Sequence, residues 1–428
     1  MAFRSWDWVV EAVGRFLEKP ARVQHLLEKL PAEASPGERR RSQYLLYGVV
    51  RHKSLLEKVL SEFLSRTPKR EVEAGLMIAS FELMSEPEKG PLIVDHAVTR
   101  IGHGQGGRGA KGLANAVLRK VAKRLPELLA ESPTNVEGLS WRYSHPRWLV
   151  EKWMERFGLE KTKNLLEWNL REPDVFFFPI GDYEVDSRNE AFERLAESGY
   201  WKLKRGDWKA LEPLLASGNA YAQNPASGIA PRMLAENIPS GRILDLCSAP
   251  GGKAIALDQL CGEGLESIVS VDLPGQRFDR LRSNLDSCAK RVSAVEGDLF
   301  SLDPAMLGTF EGVLLDAPCS NLGVLQRKLD VKWRVSPRSL EALPPQQGEF
   351  LEAASRFVSP EGRLIYSLCS FDETEGRDVV DRFLASDAGR SFRLERSEIR
   401  YPGEMDTDGA AVFELIRFGS NSPSLATS

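Results

Sequence analysis

The sequence predicts a multidomain chain: an all-α helical bundle over residues 1–130, a small α+β connector over 131–219 and a doubly wound α/β domain over 220–428. Three observations carry this reading. Apolar residues recur at helical spacing through the first 130 positions, with nothing that resembles a strand ladder. From Ala220 the rhythm becomes strand–helix–strand, the pattern of a parallel sheet. Within it, Ile243–Lys253 is an apolar run stopped by a turn of small residues before a new helix, the layout of a strand opening onto a ligand crevice.

In the bundle, Val9, Val13, Phe16 and Leu17 form an i, i+4, i+7, i+8 stripe. Tyr44–Val49, Leu55–Leu60, Val72–Met84, Val94–Ile101 and Leu113–Val121 continue the pattern. The glycine-rich run Gly102–Gly112 reads as a loop. Arg108 and Lys111 are candidate phosphate grips there, although a plain linker is the simpler reading. In the connector, Glu151–Phe157, Thr162–Asn169 and Asn189–Ser198 read as helices, and Val175–Ile180 and Tyr200–Leu203 as strands. His145 sits beside Pro146 and between two tryptophans, so it reads as a packed structural histidine.

Five parallel strands are expected in the last domain, Ile243–Cys247, Ser267–Val271, Val292–Val295, Gly312–Leu315 and Arg363–Leu368. The helices between and after them are Gly252–Leu260, Arg277–Cys288, Ser339–Phe357 and Glu373–Leu384, and Phe392–Arg396 with Val412–Phe418 can form a terminal antiparallel pair.

Composition narrows the function classes. No run of eighteen apolar residues is present, and the first residues lack the basic-then-apolar layout of a signal peptide, so a cytoplasmic protein is expected. Cys247, Cys261, Cys288, Cys319 and Cys369 lack paired spacing, and histidines are few, which disfavours both a disulfide framework and a metal site. Residues 1–130 hold 22 Lys and Arg against 15 Asp and Glu, leaving 35 against 46 in the remainder. A basic front on an acidic body suits a module that docks on a polyanion, though a solvated helical surface would show the same balance.

The chemistry lies at the strand ends. The turn Cys247-Ser248-Ala249-Pro250-Gly251-Gly252-Lys253 lets backbone approach a ligand, and it is not the GxxxxGK[ST] cradle of a nucleoside triphosphate. Asp272 ends the second strand, where a carboxylate can accept from ribose hydroxyls, and Asp298 ends the third, within reach of an adenine amino group. Asp316 ends the fourth, and Arg277 belongs to the same set. The outline is an adenosine site, open to NAD or S-adenosylmethionine; without Gly-x-Gly-x-x-Gly at this strand-end turn or a second nucleotide-binding half, the methyl donor is favoured.

Cys319 and Cys369 follow neighbouring strands, each with a serine after it. A free thiol is only a few per cent ionised at neutral pH, so a nucleophilic role needs roughly 2 kcal/mol of help. A helix starting after Cys369, capped by Ser370 and Glu373, and a nearby Lys253 are the expected sources. A thiolate beside a methyl donor suits attack on carbon 6 of cytosine, which activates carbon 5. The base must then be single-stranded or flipped out, with Asp316 at the pyrimidine edge.

The runs Leu246–Lys253, Asp316–Arg327, Asp330–Trp333 and Tyr366–Ser370 resemble the signature motifs of the RNA 5-methylcytosine methyltransferases. Arg41–Arg51, Pro91–Val98 and Lys111–Arg119 resemble the NusB-like RNA-binding domain found ahead of one bacterial ribosomal RNA branch, which implies a NusB-like bundle and a Rossmann-like methyltransferase domain. The resemblance implies Cys369 as nucleophile, Cys319 in product release, and S-adenosylmethionine on Cys247–Lys253, Asp272, Asp298 and Asp316. It implies RNA as partner, cytosine 967 of 16S ribosomal RNA as target within naked rRNA or a small-subunit assembly intermediate, and a monomer without metal or membrane. Asn321 stands where the family usually has Gly, and Leu368 where it usually has Thr. A tRNA or other rRNA cytosine, a non-catalytic antitermination factor, and a DNA methyltransferase with Cys319 as nucleophile are the rivals.

Overall fold

Local signals set the helices of the first compact unit, Met1–Arg171 together with Leu325–Pro337. Ser35 and Glu38 form a reciprocal capping box with Pro36 in the first turn, starting a helix at Pro36. In this computed structural model, which describes residues 2–103, 107–195, 199–204, 206–238, 240–286, 288 and 291–418, the helices are α1 (Ala2–Glu18), α2 (Val23–Leu27), α3 (Pro36–Arg51), α4 (Lys53–Ser61), α5 (Arg70–Ser85), α6 (Gly90–His103), α7 (Gly107–Ala130), α8 (Val136–Arg142) and α9 (Arg147–Leu170). Their apolar stripes meet in one core that includes Val13, Leu46, Val49, Leu56, Ile78 and Leu118. Helices α3 and α5 approach closely because position 48 lacks a side chain: a Cβ there would lie 2.0 Å from the Phe81 ring.

Two expectations about this unit change. Gly102–Gly112 is not a loop throughout: α6 runs through His103 and α7 begins at Gly107. The apolar side chains of Ala110 and Ala114, buried in the core, outweigh the poor helix propensity of the glycines. Residues 104–106 and the side chain of Arg108 lie outside the described residues, and Lys111 is exposed. The second change is the segment Leu325–Pro337, which packs with the helices rather than with its sequence neighbours. Leu329 enters the core, Lys332 Nζ donates to the Arg51 carbonyl at 3.1 Å, and Trp333 Nε1 to that of Val50 at 3.0 Å. His145 is fully buried, its ring held by the Tyr143 carbonyl at 2.6 Å and Asn169 at 3.2 Å, and burial drives its pKa well down.

The second unit comprises Glu172–Val324 and Arg338–Ser428. It opens with a small antiparallel sheet, β2-β3-β1-β4, from β1 (Val175–Pro179), β2 (Phe192–Arg194), β3 (Trp201–Leu203) and β4 (Ala220–Ala222), backed by α10 (Trp208–Ala216). The helix expected over Asn189–Ser198 is therefore absent where the chain is described; residues 196–198 lie outside it. Phe192 pairs with Leu203 across the sheet and is buried beside Phe177, so tertiary pairing overrides local helical character.

After α11 (Ile229–Ala235) come β5 (Gly241–Leu246), α12 (Gly252–Cys261), β6 (Leu265–Asp272), α13 (Gln276–Leu285), β7 (Val292–Glu296), β8 (Phe310–Asp316), α14 (Pro337–Ser355), β9 (Val358–Leu368), α15 (Arg377–Ala385), β10 (Phe392–Arg400) and β11 (Ala410–Arg417). The sheet runs β10-β11-β9-β8-β5-β6-β7, parallel from β7 to β9 and antiparallel beyond. From β5 the chain winds outward to β7, then returns to β8 on the other side of β5. That reversal opens a crevice at the carboxyl ends of β5 and β8. Helix α13 ends at Leu285, short of Cys288. Helix α15 starts at Arg377, so the capping box proposed for Ser370 and Glu373 does not exist. Among the described residues no helix is long and apolar enough to cross a membrane, and no group of three His, Cys, Asp or Glu residues could hold a metal ion.

Candidate active site

The turn after β5 is shaped by backbone conformations that small residues tolerate. Cys247 has φ +57 and Gly251 φ +97, with a cis Ala249–Pro250 bond between them. Gly251 needs its glycine for that conformation. Gly252 needs it for packing, since a Cβ would meet Gln223 at 2.8 Å and Tyr221 at 2.9 Å. Ser248 Oγ donates to Asp245 at 2.5 Å and the Ala249 amide donates to Asp272 at 2.8 Å. Arg277 donates to the Ala249 carbonyl at 2.8 Å, and its guanidinium lies 3.9 Å from the Asp272 carboxylate. Asp272 and Arg277 thus brace the turn from the end of β6. Asp298 is exposed after β7 and accepts from the Phe300 amide at 3.2 Å.

Acids dominate the crevice floor. Asp245, Asp272 and Asp316 all act on Cys247, whose thiol is pushed up to about 12, by burial first and then by these carboxylates. Cys247 therefore stays a neutral thiol at physiological pH. Asp245, which the sequence reading left out of the site, is wholly buried; burial raises its carboxyl to about 7 against the pull of Ser248 and Lys253. Lys253 offsets this charge. Burial alone would depress its pKa, but Asp316, Cys369 and Asp245 together hold it above its ordinary value, and its Nζ lies 2.6 Å from Asp316.

The cysteines follow neighbouring parallel strands, β8 and β9, aligned with Asp316 opposite Ser367. The Ala317 amide donates to the Ser367 carbonyl, and the Gly323 amide to that of Cys369, both at 3.0 Å. Ser320 Oγ and Ser370 Oγ, one residue beyond each cysteine, are 3.2 Å apart. Burial, then the charge of Cys369, pushes the Cys319 thiol well up. Cys369 in turn acts on Lys253. Without a helix at Ser370, Lys253 supplies a positive charge that acts on Cys369. Asn321, at φ +63, adopts the left-handed conformation that glycine would take most easily, and its Nδ2 donates to the Cys319 carbonyl at 2.7 Å. Sequence reasoning also missed Glu375, fully buried between the two serines; an acid in an acid-rich stretch carries no signal of burial.

Would this crevice suit S-adenosylmethionine? The carboxylates at the ends of β6 and β8, Asp272 and Asp316, provide acceptors and a negative field for a cationic sulfonium, and Leu273, exposed after Asp272, provides apolar surface. The donor set fits. Fold and site define a Rossmann-like, S-adenosylmethionine-dependent methyltransferase.

Comparison with known proteins narrows the class. Residues 233–408 match the family described as 16S rRNA methyltransferase RsmB/F, and residues 8–123 match the NusB family. Over its methyltransferase part this chain is thus similar to the RsmB/F family, and over its N-terminal helices to the NusB family. The ribosomal RNA small subunit methyltransferase B of Klebsiella pneumoniae subsp. pneumoniae is 29% identical over 433 residues, covering 95% of this chain and 96% of that protein. That of Salmonella paratyphi B is 29% identical over 434 residues, covering 95% and 97%. The crystal structure of PH0851 shares the fold with a TM-score of 0.74 at 21% identity, covering 97% of this chain and 99% of that one. NSun6 from Pyrococcus horikoshii with SFG aligns with a TM-score of 0.54 at 17% identity, covering 64% and 98%.

Proposed function

We propose that this protein methylates carbon 5 of a cytosine in 16S ribosomal RNA through a covalent adduct with Cys369. The observation that carries the reading is the pair of cysteines after adjacent parallel strands, with Lys253 beside one of them. Cys369 attacks carbon 6 of the base, and the electron pair moves onto carbon 5. S-adenosylmethionine, when bound, would supply the methyl group to carbon 5 by cleavage of its sulfonium S–CH3 bond, with S-adenosylhomocysteine as the leaving group. Loss of the carbon 5 proton to a base, with elimination of the Cys369 sulfur, restores the aromatic ring.

Lys253 offsets the charge of the Cys369 thiolate, and Asp316, whose carboxylate lies 2.6 Å from Lys253 Nζ, accepts a hydrogen bond from the cytosine amino group. Cys319, held as a neutral thiol by burial, is the poorer nucleophile and serves release of the product. The cofactor is held by Cys247, Ser248, Ala249, Pro250, Gly251, Gly252 and Lys253, with Asp272, Arg277, Asp298 and Asp316. The NusB-family helices engage the RNA.

The test is transfer of labelled methyl groups to 16S rRNA, with adducts resolved on denaturing gels. Cys369→Ala should abolish both methylation and adduct, and Cys319→Ala should accumulate adduct. If Cys319→Ala abolishes the adduct while Cys369→Ala retains it, the roles are reversed and the proposal falls.

A further inference from the structure

We propose that Glu375 is the positioning residue that sets the spacing of the two thiols, an inference that rests on the cysteine chemistry proposed above. Glu375 has no solvent exposure. Its Oε2 accepts from the Ser320 amide at 2.8 Å and from Gln347 Nε2 at 3.0 Å. Its Oε1 accepts from Ser370 Oγ at 2.7 Å and from Ser320 Oγ. One carboxylate thereby ties the residue after Cys319 to the residue after Cys369.

The surrounding bonds make the tie directional. Ser320 Oγ also accepts from the Leu322 amide at 3.3 Å, and Ser370 Oγ from the Asp372 amide at 3.2 Å, so each hydroxyl is an acceptor on one side and a donor to Glu375 on the other. Gln347 Nε2 also donates to the Pro318 carbonyl at 3.0 Å, and Tyr366 donates its hydroxyl to the Glu375 carbonyl at 2.8 Å. The loop after β8, the loop after β9, helix α14 and strand β9 itself converge on this residue. A carboxylate shared by four donors holds its neighbours far more tightly than two unconnected turns would.

Glu375→Gln keeps the shape and reverses polarity at one oxygen. Its amide must face either the Ser320 N–H and Gln347 Nε2, two donors that cannot accept, or the two hydroxyls, whose protons then lose their acceptor. Glu375→Asp keeps the charge but withdraws it by one methylene. Both should fold, and both should let the thiols drift.

The experiment measures steady-state methylation of 16S rRNA and single-turnover adduct formation, per folded molecule. The variants are Glu375→Gln, Glu375→Asp, Ser320→Ala, Ser370→Ala and the combinations of each serine change with Glu375→Gln. Expected are a fall in kcat of about 10- to 100-fold for Glu375→Gln and Glu375→Asp, KM for RNA and S-adenosylmethionine within about twofold, and an equal fall in adduct rate. The serine changes should add little once Glu375 is altered. A merely structural residue would lower the melting temperature and the folded fraction while leaving kcat per folded molecule unchanged; that result overturns the proposal, as does a loss confined to KM. If wild type methylates, Cys369→Ala is dead and Glu375→Gln matches wild type, only this inference fails. If wild type forms no cysteine adduct, the proposed function fails and takes this inference with it.

Discussion

Asp245→Asn should remove a pH dependence of stability that the wild type carries inside β5. The Asp245 carboxyl is wholly buried, and burial, with Asp316 and Asp272, lifts it from 3.8 to about 7. A folded-state value above the unfolded one means that the folded protein binds this proton more tightly. The stability it contributes is fully present below about pH 4 and is lost as pH rises through about 7. A gap of roughly three pH units corresponds to about 4 kcal/mol, of which about 2.5 kcal/mol disappears between pH 5 and pH 8. Asn preserves the shape and can still accept from Ser248, but it cannot ionise. The stability of the variant relative to wild type should therefore rise by about 2.5 kcal/mol from pH 5 to pH 8. Amide exchange of β5 and β8 at matched urea concentrations reads this in the methyltransferase unit itself. Parallel profiles, within about 0.5 kcal/mol, would refute the reasoning and mean that Lys253 keeps Asp245 ionised throughout.

Lys253→Met leaves Asp316 and Asp245 without their cation and should cost about 3–5 kcal/mol by denaturant titration; adding Asp316→Asn should recover a good part of it. Gly48→Ala drives a methyl into the Phe81 ring and should cost about 1–3 kcal/mol, with Phe81→Leu relieving most of the loss in a double-mutant cycle. Asn321→Val, at φ +63, should cost about 1–2 kcal/mol in thermal unfolding, whereas Asn321→Gly should stay within about 1 kcal/mol of wild type.

The parts most legible in the sequence were those written in local periodicity or in chemistry placed at strand ends. Ile243–Lys253 declares a strand, a turn and a helix, and Cys319 and Cys369 follow two apolar runs that alternation makes neighbours. His145 was legible as a packed residue because its flanks are aromatic. What stayed hidden depends on contacts distant in sequence. Phe192 is a strand residue only because Leu203 pairs with it. The stretch Asp372–Glu375 looks like the acidic first turn of a helix, yet Ser370 and Glu375 turn inward to bond each other and postpone the helix to Arg377. Asp245 reads as one polar residue in an apolar strand, and only the sheet reveals that it is wholly buried.

The return of Leu325–Pro337 to the helical unit has a practical corollary for anyone who cuts this gene. A fragment stopping at Arg171 would leave out Leu329 from the interior and strip the Arg51 and Val50 carbonyls of their lysine and tryptophan donors. Such a fragment should be soluble only poorly, and a synthetic peptide spanning 325–337, added in trans, should mend it.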